Sequence, residues 1–384
     1  MKILAITSIR SEYDLMSYVY KKLDRDSGID LRLLVGGCHN SPSFGLTVKD
    51  IKKDGFNILC QIDSLIDSDS SAARLKSASV LLLSCIDVVN AFSPDLIIYA
   101  GDREDVMIGA LLGGYLGIPT VHFFGGDHAS DGHIDNPIRH AVSKLSTCHF
   151  VSIEEHKKRL LKIGEPSSRI FNIGSVALDK FKEIPIRNDI LDFVAGRKVS
   201  RPAALFIFHP VEDEIEIAPQ LVDNIIHELI ENGYHVFVGL PNSDHGYSGI
   251  REVLNNYSSD SNVSLYGNLP RDLFVQLFKA CKLIMGNSSA GILEAASVPI
   301  PCINVGLRQR GRMSAENVIF IDSDLNQIKD AIMKIKDETF LSSISNISNP
   351  YGDGNASDKA VELIKSVDFS AIYKKYEDPL YVEQ

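Results

Sequence analysis

Short runs of apolar, mostly β-branched residues recur along the whole chain, each stopped by glycine, serine or a charged turn. The first series is Lys2–Ser8, Leu31–Gly37, Asp95–Gly101, Pro119–Gly126, His149–Ser152 and Arg169–Gly174. The second is Ala204–His209, His235–Leu240, Val263–Tyr266, Lys282–Gly286, Ile300–Val305 and Val318–Ile321. Between most of them apolar positions return with helical spacing, as in Asp14–Leu23, Ala72–Ala91, Val106–Leu116, Pro137–Ser146 and Arg271–Cys281. Strands that are apolar on both faces, alternating with amphipathic helices, predict parallel sheets with helices packed on either side. Prolines and charges interrupt the rhythm at Glu183–Ala203 before a fresh strand starts. The chain therefore reads as an α/β protein with two Rossmann-like domains, at 1–182 and 200–365, and a short tail over 366–384. In such sheets ligands collect beyond the carboxyl ends of the strands, so reactive groups are sought there.

The first strand runs into Thr7-Ser8-Ile9-Arg10-Ser11-Glu12-Tyr13. Arg10, at a strand-to-helix turn, suits bidentate bonding to a phosphate beside helix-start amides, and suits a solvated surface equally well. No G-x-G-x-x-G occurs there, which counts against an ordinary NAD site. His39 follows Gly36-Gly37-Cys38 and fits a structural role as well as a ligand-binding one. Gly101-Asp102-Arg103-Glu104-Asp105 places four charges after a buried strand, where they face a cleft or cap the helix behind them. The segment from His122 to His140 then gathers Asp127, Asp131 and Asp135 with His128, His133 and Arg139. Such density offers acid/base groups whose neighbours shift their pKa values. No H-E-x-x-H or comparable spacing points to a metal. Asn136-Pro137 reads as a helix start, a structural role.

In the second half His209 stands directly at a strand end. Gly286-Asn287-Ser288-Ser289-Ala290-Gly291 opens a helix carrying Glu294. Its small residues let the backbone approach a phosphate, its hydroxyls and amides can donate to one, and Glu294 could take ribose hydroxyls. A helix cap is the plainer place for Ser288. Arg308, Arg310 and Arg312 follow a further strand and can neutralise a diphosphate. The residues by themselves thus lead to a nucleotide or phosphosugar enzyme with a two-domain cleft.

Composition narrows this little. The 384 residues suffice for two cores, and 45% hydrophobic with 23% charged residues is a globular balance. A net charge of −11 argues against nucleic acid or a membrane surface as partner, but not against a phosphate held by a few local donors. The six cysteines show no C-x-x-C spacing, so neither zinc nor a redox pair is indicated, and no metal or cofactor is expected. The N-terminus turns polar after six residues, and no 18-residue uninterrupted apolar run occurs. A cytoplasmic protein without membrane spans, forming a homo-oligomer, is the expectation.

Several motifs in order resemble the hydrolysing, non-phosphorylating UDP-N-acetylglucosamine 2-epimerases, in particular the branch serving sialic and legionaminic acid synthesis. They are Thr7 to Tyr13, His39 to Thr47, Gly101 to Asp105, Gly286 to Glu294 and Arg308 to Arg312, and the likeness runs from residue 1 to about 365. The resemblance implies a two-Rossmann, GT-B-like fold with a central cleft and a last helix that often crosses back to the first domain. It implies a reaction in which a base removes the C2 proton while the nucleotide leaves C1, and water then adds to the glycal to give the free, C2-inverted sugar. It places Arg10, His209, Ser288, Ser289 and Arg308 at the diphosphate, Glu294 at the ribose and Asp102 at the sugar, with His39 and Arg103 also on the substrate. UDP- or GDP-linked 2-acetamido sugars are the implied substrates, feeding nonulosonic acids of surface polysaccharides.

Two positions depart from the family pattern. Phe124 stands where a titratable residue is usual, and Asn136 replaces a carboxylate. The longer stretch Asp127–Arg139 is expected to supply the missing acid/base function, with Asp135 as proton carrier and Asp127 or His133 as its partner. The competing readings are an NDP-sugar hydrolase or lyase that does not invert C2, a glycosyltransferase, and a sugar-nucleotide sensor without catalysis.

Overall fold

The apolar runs become strands because both faces of each strand are covered. In β1 (Lys2–Thr7), Ile3 and Ala5 pack into one core while Leu4 and Ile6 pack into another on the opposite face. In β8 (Ala203–Ile207), Ala204 and Phe206 are divided in the same way from Ala203 and Leu205. The computed structural model describes the chain except residues 69, 130–133, 212–213, 242–245, 268 and 383–384, and the side chain of residue 71.

With β1 go β2 (Asp30–Val35), β3 (Ile58–Gln61), β4 (Leu96–Ala100), β5 (Thr120–Phe123), β6 (Cys148–Val151) and β7 (Ile170–Asn172). They form a seven-stranded sheet in the order β3-β2-β1-β4-β5-β6-β7. With β8 go β9 (His235–Gly239), β10 (Val263–Tyr266), β11 (Leu283–Gly286), β12 (Cys302–Val305) and β13 (Val318–Ile321), in the order β10-β9-β8-β11-β12-β13. The described pairings are parallel: Ala5 lies between Leu33 and Ile98, and Leu205 between Phe237 and Ile284. Each sheet reverses its strand order once, at β1/β4 and at β8/β11. Such switch points open a crevice at the strands' carboxyl ends.

Three features bear on the sequence reading: a strand it lacks, a domain boundary that shifts while the last helix crosses back as the resemblance implies, and one long apolar helix. β3 is absent from the predicted strands, because an edge strand of four half-exposed residues has no apolar run to reveal it. The chain divides at Asp179/Lys180, and residues from Gly354 onward return to the first unit. The helix Ala356–Ser366 packs against the helix Arg10–Asp24, and its Ala360 and Ile364 enter the first unit's core. Asp179 fixes that return by accepting from the amides of Ala356 and Ser357 at 3.1 and 2.6 Å. Finally, Ala72–Phe92 is long and apolar enough to cross a membrane, its polar residues being spaced apart, and 28% of its most apolar stretch is buried. The helix Ser71–Phe92 buries Leu81, Cys85 and Val89 and leaves Leu75 and Leu83 72% and 77% exposed.

The tail is tied down by charge. Lys375 Nζ reaches the buried Glu165 carboxylate at 2.6 Å and the carbonyls of Ser143 and Lys144 at the end of the helix Asp135–Leu145. Arg169 donates to the carbonyls of Ile372 and Lys374 and to the Glu377 carboxylate.

Candidate active site

In the first unit the ends of β4 and β5 deliver their side chains to one guanidinium. β4 closes on Gly101, whose φ of +99° turns the chain sharply and leads into Asp102. The helix Glu104–Leu116 follows with Arg103 as its N-cap and no side-chain capping bond. Asp102 is therefore not a cap: its Oδ2 accepts from Arg139 Nη2. β5 ends at Phe123, and Asp127 Oδ2 lies 3.1 Å from Arg139 Nη1. Asp127 Oδ1 also accepts from the amide of His128 at 2.8 Å and lies 3.3 Å from His156 Nε2. Arg139, 6% exposed, thus holds two carboxylates from adjacent strands.

Two further residues set this geometry. His122 on β5 donates from Nε2 to the Gly101 carbonyl at 2.8 Å, and burial pushes its pKa down to about 3, so it works as a neutral strut. Gly126, at φ +76°, approaches the helix Glu154–Lys162 so closely that a Cβ would stand 2.3 Å from the His156 carbonyl. Neither His156 nor Gly126 stands out in the sequence, because their partners lie about thirty residues away.

Asp135 is placed differently from the expectation that it carries the proton. It opens the helix Asp135–Leu145 and pairs with Arg74, which also holds Glu104. Asn136 is the second residue of that helix rather than its cap, and Ile134 occupies the cap position. His133 and Asp131 lie outside the described residues. Phe124 adopts φ +63°, a conformation that costs a non-glycine residue roughly 1–2 kcal/mol, and packs against the first unit's core. The position usual for a titratable group carries a partly buried ring set against that core.

At the end of β1 Arg10 and His39 have different surroundings. Arg10 starts the helix Arg10–Asp24 and pairs with Asp14 at 3.4 Å. His39 is fully buried, with Nε2 3.0 Å from Thr7 Oγ1 and Nδ1 2.7 Å from Thr47 Oγ1. Both ring nitrogens are engaged, and burial lowers its pKa to about 4, so it stands as a neutral ring that joins the end of β1 to the loop before Thr47. The same network ends on Glu12, which takes hydrogen bonds from Thr7 and Tyr20 and is raised by burial to about 8. Arg103 stays half-exposed.

The second unit has its own cluster at the β8/β11 switch point. His209 follows β8, and Ser288 and Ser289 follow β11. The turn is tight because Gly286 sits at φ +126°, where a Cβ would strike the Ile207 carbonyl at 2.0 Å. Asn287 joins the two ends: its Oδ1 accepts from the His209 amide and its Nδ2 donates to the His209 carbonyl, both at 2.7 Å. Arg308 and Gln309 donate to the Asn287 carbonyl at 3.1 and 3.2 Å. Ser288 Oγ accepts from the amide of Ala290 at 3.3 Å, while Ser289 is the N-cap, without a side-chain capping bond, of a helix of only four residues, Ala290–Leu293. Glu294 is buried beside Arg271; burial raises its pKa, Arg271 opposes the rise, and its Oε2 has no partner among the described residues. The expected three-arginine cluster is split, because Arg310 pairs with Asp322 and Arg312 donates to Gln309, leaving Arg308 at the turn. Away from the strand ends, His227, Glu228 and Glu231 lie within reach of one cation, but Glu228 already pairs with Lys329.

Comparison with known proteins gives this arrangement a setting. The family model described as UDP-N-acetylglucosamine 2-epimerase matches residues 21–365. The chain is 33% identical over 367 residues to a hydrolysing UDP-N,N'-diacetylbacillosamine 2-epimerase of Legionella pneumophila, covering 95% of this chain and 96% of that one. It is 33% identical over 344 residues to a hydrolysing GDP/UDP-N,N'-diacetylbacillosamine 2-epimerase of Campylobacter jejuni, covering 88% of each. In structure it resembles the UDP-GlcNAc 2-epimerase of Neisseria meningitidis bound to UDP-GlcNAc, with a TM-score of 0.80, 21% identity, and 96% and 100% of the two chains covered.

Proposed function

Because the chain belongs to the UDP-N-acetylglucosamine 2-epimerase family, we propose that its substrate is a UDP- or GDP-linked 2-acetamido sugar, which it hydrolyses with inversion at C2. It is a hydrolysing NDP-sugar 2-epimerase for surface sugars. The observation that carries the chemistry is the pair Asp102 and Asp127 on the single guanidinium of Arg139. Elimination needs a base at C2, and rehydration needs an acid to return a proton there. Two carboxylates on neighbouring strand ends supply one group for each task. Asp127 is assigned the proton-carrying role because it shares the Arg139 guanidinium with Asp102, whereas Asp135 pairs with Arg74 instead. In the second unit His209, Ser288, Ser289 and Arg308 receive the departing diphosphate, and the free Oε2 of Glu294 takes the ribose. The product is a free 2-acetamido sugar suited to nonulosonic acid synthesis, and the working protein is a homo-oligomer.

The apolar Phe124 favours one rival, a hydrolase that leaves C2 unchanged. Incubation with UDP- and GDP-linked 2-acetamido sugars in D₂O, followed by proton NMR, separates the two. Deuterium at C2 of an inverted free sugar is the expected result. Free sugar retaining its C2 proton and configuration would establish the rival.

A further inference from the structure

Asn287 has no chemistry of its own to offer an elimination, yet every polar group at this fully buried residue that the structure describes is spent on the β8/β11 switch point. Its amide N–H donates to the Ile207 carbonyl at 3.1 Å, beside the last paired residues of the β8/β11 ladder, Ile207 and Gly286. Its side chain then carries the ladder past the end of the strands. The carboxamide presents a C=O to the His209 N–H and an N–H to the His209 C=O, as a peptide group of a neighbouring strand would. Its own carbonyl is the shared acceptor of Arg308 and Gln309. Gln309 Oε1 in turn accepts from Arg312 at 3.0 Å.

We infer that Asn287 is the positioning residue of the diphosphate site: it sets His209 and Arg308 at a fixed separation before the ligand arrives. This rests on the assignment of His209 and Arg308 to the diphosphate. The physical reason is preorganisation. A loop histidine and a flexible arginine lose conformational freedom on binding an anion, and a scaffold that has already restricted them lowers that cost. A primary amide suits the task because it alone among uncharged side chains offers a donor and an acceptor side by side. A carboxylate would lack the donor for the His209 carbonyl, and a hydroxyl can satisfy only one of the two groups well. His209 and Arg308 are read as binding residues from their strand-end positions.

The test uses the whole protein, with Asn287→Ala and the milder Asn287→Ser. Affinity is measured by calorimetry for UDP and GDP, and for uridine and guanosine by NMR titration. Removal of the clamp is expected to weaken the diphosphate by about tenfold or more for alanine, and less for serine, while nucleoside affinity stays within about twofold. If diphosphate and nucleoside affinities fall together, Asn287 merely supports the fold and the inference is wrong. Unchanged diphosphate affinity in a folded Asn287→Ser protein also overturns it. A wild-type protein that binds neither UDP nor GDP would remove the underlying site assignment instead.

Discussion

Arg139 is nearly buried, and Asp102 and Asp127 both depend on it. Carboxylates that share one cation act as a unit, so their contributions to catalysis should not add. Asp127→Asn is expected to lower turnover by about 10²–10⁴-fold, the usual contribution of a positioned acid or base. Nucleotide-diphosphate affinity should stay within about twofold, because the diphosphate is assigned to the second unit. Combining it with Asp102→Asn should cost much less than the product of the two single losses. Asp135→Asn should be mild, since its loss frees Arg74 to serve Glu104 alone. Rates of nucleotide release and C2 exchange for the three variants decide this. A severe Asp135 variant beside a near-normal Asp127 variant would transfer the proton-carrying role to Asp135.

At the scale of elements, the helix Asp135–Leu145 brings Arg139 to the strand ends, and the C-terminal tail holds that helix from its far end. Lys375 bonds to carbonyls of its last turn, where a cation also suits the helix dipole. Burial would push the Glu165 carboxyl up, but His149, Lys375 and Lys144 overcome it and hold its pKa down at about 2. A folded-state value below the unfolded one contributes stability above about pH 4.5, lost as pH falls towards 2. Lys375→Met should therefore destabilise the protein at neutral pH by about 2 kcal/mol, the order of a lost bond between charged groups. The deficit should shrink as the pH approaches 3. Urea unfolding of both proteins across that range checks the sign; a deficit that grows on acidification would contradict it.

At the scale of the whole molecule, the helix Ser71–Phe92 carries an exposed apolar face, with Leu75 and Leu83 72% and 77% exposed. Along the helix Ser71–Phe92 the exposed positions are Ala72, Leu75, Lys76, Ser79, Val80, Leu83, Ser84, Ile86, Asp87, Asn90 and Ala91, which share one broad side. Eight of them, Ala72 with Ala91, Lys76 with Asp87, Ser79 with Ser84 and Val80 with Leu83, form pairs symmetric about the midpoint between Leu81 and Leu82. An antiparallel second copy would set Lys76 against Asp87, Val80 against Leu83, and alanine and serine against their like. A two-fold interface requires such self-complementarity, and apolar exposure on this scale marks an interaction surface. Homodimerisation through this helix is the expectation, with Val80→Glu together with Leu83→Glu giving a monomer by light scattering and Lys76→Asp with Asp87→Lys remaining dimeric. A double-glutamate protein that keeps the wild-type mass would exclude this face. Vesicle binding by the wild type, abolished by the same change, would make the face a membrane contact.

The alternation of buried strands and amphipathic helices was legible in the residues themselves, because a strand covered on both faces leaves a continuous apolar run. The strand ends where chemistry could lie were legible for the same reason, and so were Asp102, Asp127, Arg139, His209 and Arg308 as candidates. What the sequence could not convey is which of them meet. Burial turned His39 into a strut, Arg74 claimed Asp135, and Asp322 drew Arg310 away, each through a partner distant in the chain. Asn287 and His156 acquire meaning only from contacts 78 and about thirty residues away. The return of the last helix to the first unit likewise depends on Asp179 meeting amides 177 and 178 residues later. Periodicity records whether a position is covered by apolar neighbours, whereas the pairing of polar groups is set by tertiary proximity.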